Sequence, residues 1–369
     1  MSTRLRILIV TIVHDPEDAR IRYRQIPALL TAGHQVAYAA PFPAFGRSAP
    51  PGVQRHDLPR ARGRRRLAAI RAARRLIARV ASTVDVVIVH DPDLLLALAG
   101  QRRHGAALVW DVHEDTAAAL SMREWVPKPL RSVLAASVSA AERIAERRYN
   151  LLLAEPGYQR RFRRPHPVVP NSIRIPDGAP PPPGRSRVVY LGKITTARGG
   201  HDLIELARQL PEVEVEVIGP AEADVATELR RAAEAGLLTW TGFVPNAKAL
   251  QRLPGALAGV SMLHDEPNYH YSPPTKVMEY MAYGLPVITT PNPASEDLVR
   301  EGGCGVVVPF GDVEAAATVL REWIADEEKR IQLGAAGHAY AREHLNWERD
   351  GARFVATIEH IARKNPSSG

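Results

Sequence analysis

Short runs rich in Val, Ile and Leu recur along the chain and alternate with stretches of helical spacing. In the first half the runs are Ile7–Val13, Val36–Ala40, Val84–His90, Ala107–Val112, Leu151–Ala154 and Val168–Val169. In the second half they are Val188–Leu191, Val213–Ile218, Leu238–Thr241, Gly259–Leu263, Pro286–Thr290 and Gly305–Val308. Nearly continuous apolar strands separated by helices predict parallel sheets covered on both faces. Two such series in tandem predict an α/β chain of two Rossmann-like, doubly wound domains facing a central cleft. One run departs from the pattern. Glu214 and Glu216 alternate with valines, which predicts a strand with one face wet or covered only at its rim.

Between the two series lies NSIRIPDGAPPPPGRSR, Asn171 to Arg187. Its consecutive prolines cannot continue a helix or a central strand, so it reads as a semi-stiff linker. The expected organisation is an N-terminal domain over 1–170, the linker over 171–187 and a C-terminal domain over 188–345. A final segment, 346–369, has helical spacing through Trp347, Phe354, Ile358 and Ile361 and ends in a tail, KNPSSG, expected to be disordered.

Length agrees with two domains, since 369 residues exceed one ordinary core. No apolar run approaches the roughly 18–20 residues that span a bilayer. The early ILIVTIV leads directly into HDPEDARIR and reads as a first strand, not a signal peptide. The single cysteine, Cys304, excludes an internal disulfide and points to a reducing, cytoplasmic setting. Net charge is +8, and much of the excess falls in Arg60–Ser82. Leu67, Ile70, Ile77 and Val80 share one helical stripe there, with arginines around it. Such a helix either covers a sheet with a solvated face or touches anionic lipid at the inner membrane face. Nucleic acid is not expected as a partner, because no aromatic residues are interleaved with the arginines.

Candidate chemistry converges on four places. In SPPTKVMEYMAYGLPVITT, Ser272 to Thr290, Pro273 and Pro274 mark a helix entrance, followed by Thr275, Lys276 and Glu279. A helix opening beside a ligand offers N–H groups and a positive dipole end to a phosphate, and a carboxylate one turn in can take the paired hydroxyls of a ribose. The plainer alternative is a surface ion pair on a capped helix. In YLGKITTARGG, Tyr190 to Gly200, a strand ends at Gly192, and Lys193 and Arg198 follow. Two fixed cations there can clamp a diphosphate, or they are solvated loop charges. In WDVHED, a buried strand delivers His113 and Glu114; His113 either orients a substrate hydroxyl or caps the next helix. Finally, TIVHDPEDARIR and VHDPDLL carry His-Asp-Pro at strand-to-loop transitions. Asp15 and Asp91 can simply cap helices, while His14, Arg20, Arg22 and Asp91 are candidates to line an acceptor pocket. There is no GxGxxG after the first strand, no P-loop, and no Cys/His set with zinc spacing. No resident cofactor or metal is therefore expected.

Taken together these segments resemble the retaining glycosyltransferases of family 4, which have the two-domain GT-B fold (glycosyl transferases group 1). The resemblance runs from the first strand to the C-terminal helix. It implies that Lys193 and Arg198 hold the donor diphosphate, although the usual order is Arg then Lys. It implies that Glu279 is the second glutamate of the family's Glu-x7-Glu motif and binds the ribose, and that His113 is the histidine near the reacting sugar. It also implies that the C-terminal helix returns to the N-terminal domain. One departure stands out. The first motif glutamate falls at Tyr271, so Tyr271 itself or a neighbour such as Glu266 has to serve the donor sugar.

The resemblance implies transfer, with retention, from a nucleotide-diphosphate sugar to an acceptor hydroxyl. A UDP-sugar such as UDP-GlcNAc or UDP-Glc is favoured, and the acceptor is a glycoside, a lipid-linked sugar or an aglycone. Two protein cations in place of a metal suggest a metal-independent reaction. A nucleotide-sugar epimerase or hydrolase of the same fold, and a non-catalytic partner subunit, are the alternatives.

Overall fold

The computed structural model describes residues 4–99, 105–113, 128–270 and 273–364. The tail expected to be disordered lies outside them, apart from Lys364, which ends the last helix. Contacts divide the chain into two compact units, Met1–Asn171 with Glu348–Gly369, and Ser172–Trp347.

In the first unit the strands are β1 (Arg6–Val10), β2 (Gln35–Ala40), β3 (Gln54–Asp57), β4 (Val86–Val89), β5 (Ala107–Val112) and β6 (Asn150–Leu153). They form one sheet in the order β3-β2-β1-β4-β5-β6, with every pair parallel. The second unit repeats this design. Its strands are β7 (Arg187–Leu191), β8 (Glu214–Ile218), β9 (Thr239–Trp240), β10 (Ala258–Ser261), β11 (Val287–Thr289) and β12 (Gly305–Val307). The order is β12-β11-β10-β7-β8-β9, again parallel throughout. Each sheet is thus doubly wound, and each reverses direction beside its first strand. The carboxyl ends of β1 and β4, and of β7 and β10, flank the switch points where such sheets hold ligands.

The apolar runs become strands because both sheet faces are covered, so every position of β4, for example, is buried. Two elements differ from the pattern-based expectation. The edge strand β3 has the sequence QRHD and no apolar run, because an edge strand has little core to face. Val168 makes only an isolated bridge to Leu153.

Two further expectations are corrected. On the Arg66–Val80 helix the buried stripe is Ala69, Ile70, Ala73, Leu76 and Ile77, while Leu67 is 62% exposed. Alanines pack against the sheet, and the stripe is rotated away from Leu67. In β8, Glu214 is exposed but Glu216 is buried. Arg187 donates to Glu216 at 2.6 Å, and Arg252 bonds its other oxygen, so this face is closed by an ion-paired triad and is not wet.

The helix Trp347–Lys364 buries Phe354, Ile358 and Ile361. From it, Glu359 lies 3.3 Å from the buried ring of His34, which follows the first helix of the first unit. Among the described residues no helix is long and apolar enough to cross a membrane.

Candidate functional site

In the second unit the candidate residues gather at the carboxyl ends of β7 and β10. The chain leaves β7 at Gly192, whose φ of 119° favours glycine. A side chain there would point at the Lys276 ammonium end. Thr195 accepts a hydrogen bond from the Arg198 backbone N–H and so shapes the following turn. Gly199 (φ 77°) then lets the chain pass so close to Met262 that a Cβ would stand 2.3 Å from its carbonyl oxygen. The helix Gly200–Gln209 starts there.

Helix Thr275–Ala282 enters from the other side, with Pro274 as its N-cap. Both Lys276 and Glu279 are buried on it, which excludes the plainer reading of a surface ion pair. Tyr280, from the same helix, ties the two strand ends together: its hydroxyl accepts from the Leu191 N–H at 2.8 Å and donates to the Val260 carbonyl at 3.3 Å. Its ring fits only because residue 259 is glycine.

The Lys276 ammonium group rests 3.4 Å from the centre of the Tyr190 ring and has no hydrogen-bond acceptor among the described residues. Burial, followed by the neighbouring Arg198 charge, pushes its pKa well below the usual lysine value, with Glu279 pulling the other way. Arg198 is half-buried, with its guanidinium 5.8 Å from the Tyr269 ring. Lys193 is different. It is exposed, and its ammonium is engaged by Glu222. The two cations brought together are therefore Arg198 and Lys276, and Lys193 stands apart in this structure.

The loop after β10 carries Glu266, half-buried, between Asp265 and Tyr269. It is anchored by Thr290 and Asn292, which donate to the Leu263 carbonyl. Thr275 is half-buried at the helix entrance. Tyr271 lies outside the described residues.

In the first unit, Asp91 follows β4 and is fully buried. Its carboxylate accepts from the backbone N–H groups of Ile12 and Val13 and from the Thr11 hydroxyl, and so holds the His-Asp-Pro loop after β1. It therefore neither caps the next helix nor faces an acceptor. Arg20 is also corrected from acceptor-lining to internal. It is 3% exposed and makes two bonds of 2.8 Å to Asp111, with a third to Asn171. Arg22 reaches the Ser48 carbonyl and Glu17. Asp15 accepts from the Glu17 N–H two residues on, in a local turn.

His14 does meet His113: their Nε2 atoms are 3.1 Å apart, and His14 Nε2 is also 3.1 Å from Asp91. His113 Nδ1 faces the Asp111 carbonyl at 3.2 Å. A carbonyl only accepts, so this contact places the His113 proton on Nδ1. Glu114 lies outside the described residues.

A third imidazole, His90, packs beside His113 with ring centres 5.3 Å apart. Burial pushes its pKa down to about 3; Asp111 opposes this, and the other histidines and Arg20 reinforce it. Burial also works against the charge on Asp111, but Arg20, then His90 and His113, outweigh it and hold that carboxyl well below the usual range. His90, Asp111 and His113 have the spacing of a metal-ligand set. However, both Asp111 oxygens are already taken by Arg20 and Gln25, so this carboxylate is a poor cation ligand.

Three participants escaped the sequence reading: Asp111, Tyr190 and Tyr280. The signal for Asp111 was a carboxylate inside an apolar strand. The tyrosines gave none, because aromatic residues at strand ends and on helices are ordinary core.

Both sheets and their flanking helices are those of the GT-B fold. Sucrose-phosphate synthase from Thermosynechococcus elongatus superposes with a TM-score of 0.76 at 18% identity, over 98% of this chain and all of that one. HepE of Anabaena, solved with UDP-glucose, superposes with a TM-score of 0.72 at 15% identity, over 97% of this chain and all of that one. At these identities the likeness shows the fold alone. Residues 173–340 match the family model described as Glycosyl transferases group 1. A lipopolysaccharide core biosynthesis glycosyltransferase, LpsE of Rhizobium meliloti, is 26% identical over 156 residues, or 41% of this chain and 43% of the relative. The match thus spans less than half of the relative's length.

Proposed function

We propose that this chain is a retaining glycosyltransferase that moves a sugar from a nucleotide-diphosphate donor, by preference a UDP-sugar, to an acceptor hydroxyl in a glycolipid or polysaccharide pathway. One observation carries the reading. A buried lysine side chain, Lys276, has no acceptor among the described residues and sits beside Arg198 at a helix entrance and a switch point. A buried amine without a partner is costly; a diphosphate would supply the missing acceptor. Glu279, one turn along, suits the ribose hydroxyls. The group 1 match and the similarity to LpsE, a glycosyltransferase of lipopolysaccharide core biosynthesis, support the same class.

In the reaction, negative charge grows on the leaving diphosphate as the anomeric carbon becomes oxocarbenium-like. Arg198 and Lys276 stabilise that charge, and removing one such group typically costs ~3–4 kcal/mol of transition-state stabilisation. Lys193 joins them only by leaving Glu222. His113, held in one tautomer by the Asp111 carbonyl, orients a substrate hydroxyl. The leaving phosphate oxygen takes the acceptor proton, and the protein cations serve in place of a metal. Retention rests on the resemblance to family 4.

The first unit carries a strongly basic surface. Arg62, Arg64, Arg65, Arg71, Arg75 and Arg79 are all exposed, which suits a cytoplasmic protein that touches anionic lipid at the membrane face. The test is calorimetry with UDP, GDP and their sugars, followed by product analysis with and without acceptor. Absence of binding to every nucleotide rejects the donor site. Sugar release or epimerisation in donor-only reactions rejects transfer as the activity.

A further inference from the structure

The Lys276 amine faces a definite set of groups: Tyr190 from β7, Arg198 from the turn after it, and Glu279 from its own helix. None of these hydrogen-bonds to it. The ring face of Tyr190 gives an ammonium part of what water would give, but it supplies no lone pair. Arg198 is always charged and repels a second cation. Glu279 favours the charged form, and burial disfavours it.

We infer that the empty site holds Lys276 as a neutral amine, and that binding of a nucleotide-diphosphate sugar takes up one proton from solvent at its Nζ. This deepens the donor-site reading above and rests on it. The balance is simple. A neutral amine, a diphosphate and one proton give an ammonium–diphosphate contact, and no covalent bond changes. The diphosphate supplies both the missing acceptor and a charge that outweighs Arg198. The cation that stabilises the leaving group is therefore present only when there is a diphosphate to stabilise. The unloaded chain avoids burying two adjacent positive charges.

The consequence is a pH-dependent affinity with a definite sign. Binding consumes a proton, so donor affinity falls as pH rises between the empty-site and loaded-site pKa values, by about tenfold per pH unit.

The experiment is calorimetry of the full chain with UDP-glucose and GDP-mannose at about pH 8, in HEPES and in Tris. These sugars carry no group of their own that titrates there. Plotting observed enthalpy against buffer ionisation enthalpy should give an uptake close to one proton per donor bound. Lys276→Met should fold with an unreduced Tm, bind more weakly and show no uptake. If that variant binds too weakly for calorimetry, wild-type affinity followed across about pH 7–8.5, below the ionisation of the uracil and guanine ring N–H groups, supplies the slope. Binding heat with no buffer dependence and a flat pH profile overturns the inference and leaves the donor site standing. The same uptake in Lys276→Met assigns the proton elsewhere and also overturns it. No binding of either sugar removes the donor-site reading and this inference together.

Discussion

Replacing Lys276 with methionine should make the protein more stable and much less active. The side chain is 5% exposed, ends against the face of Tyr190 and has no acceptor among the described residues. Methionine is close in length, adapts to irregular gaps and makes favourable sulfur–aromatic contacts. Removing a buried, unsatisfied amine returns about 1–3 kcal/mol. A folding unit the size of Ser172–Trp347 gains about 2–4 °C in Tm per kcal/mol, so a rise of about 2–12 °C is expected.

The pH dependence carries a sign of its own. The folded-state pKa of Lys276 lies well below its ordinary value. The unfolded chain therefore binds a proton that the folded chain does not, across the window between the two. Wild-type stability then rises with pH through that window, and its penalty is largest below it. The advantage of Lys276→Met should accordingly shrink as pH approaches about 10. Turnover should move the other way and fall by about 100- to 1,000-fold through lost transition-state stabilisation. Thermal scans at two pH values, paired with an assay of nucleoside diphosphate release, read both effects. A lowered Tm together with near-normal turnover would refute the reasoning, because it would mean that the amine has a structural partner and no ligand.

Four other outcomes follow from the same structure. Arg20→Met should strip Asp111 of its counter-charge in the first unit and cost about 3–5 kcal/mol in denaturant unfolding. His90 stays neutral in the fold down to about pH 3, so between the unfolded value near 6.5 and that point the unfolded chain binds the extra proton and stability drops as pH falls. Chemical denaturation at pH 7 and pH 4 should show His90→Leu losing about 3 kcal/mol less than wild type over this range. Glu279→Gln should weaken nucleotide-sugar binding about 10- to 100-fold in calorimetry, with Tm nearly unchanged, since a bond to a charged group is worth about 1.5–3 kcal/mol; an unaltered affinity would remove Glu279 from the ribose. Gly199→Ala combines a left-handed φ with a Cβ against the Met262 carbonyl and should lower the unfolding free energy by at least about 1–3 kcal/mol.

What was legible in the chain divides along a physical line. Strands buried on both faces announce themselves as apolar runs, so Ala107–Val112 could be read to the residue. The polar edge strand Gln54–Asp57 could not, because its neighbours and not its side chains define it. The same limit applies to the site. Periodicity can place Lys276 and Glu279 on one helix, but only the fold shows that both are inside it. Lys193 and Lys276 look equivalent as sequence. What separates them is Glu222, 29 residues beyond Lys193 in the chain, which occupies one amine while the other rests on an aromatic face with no acceptor among the described residues. Arg20 reads from the sequence as a candidate for the acceptor pocket because its partner, Asp111, is 91 residues away. Local pattern reveals which charges exist, and tertiary pairing decides which remain unspent. In a folded interior the unspent charge is the informative one, since leaving it unpaired costs stability that only a ligand can return. By that criterion the weight of the donor site shifts from the loop lysine at 193 to the helix lysine at 276, with Arg198 common to both arrangements.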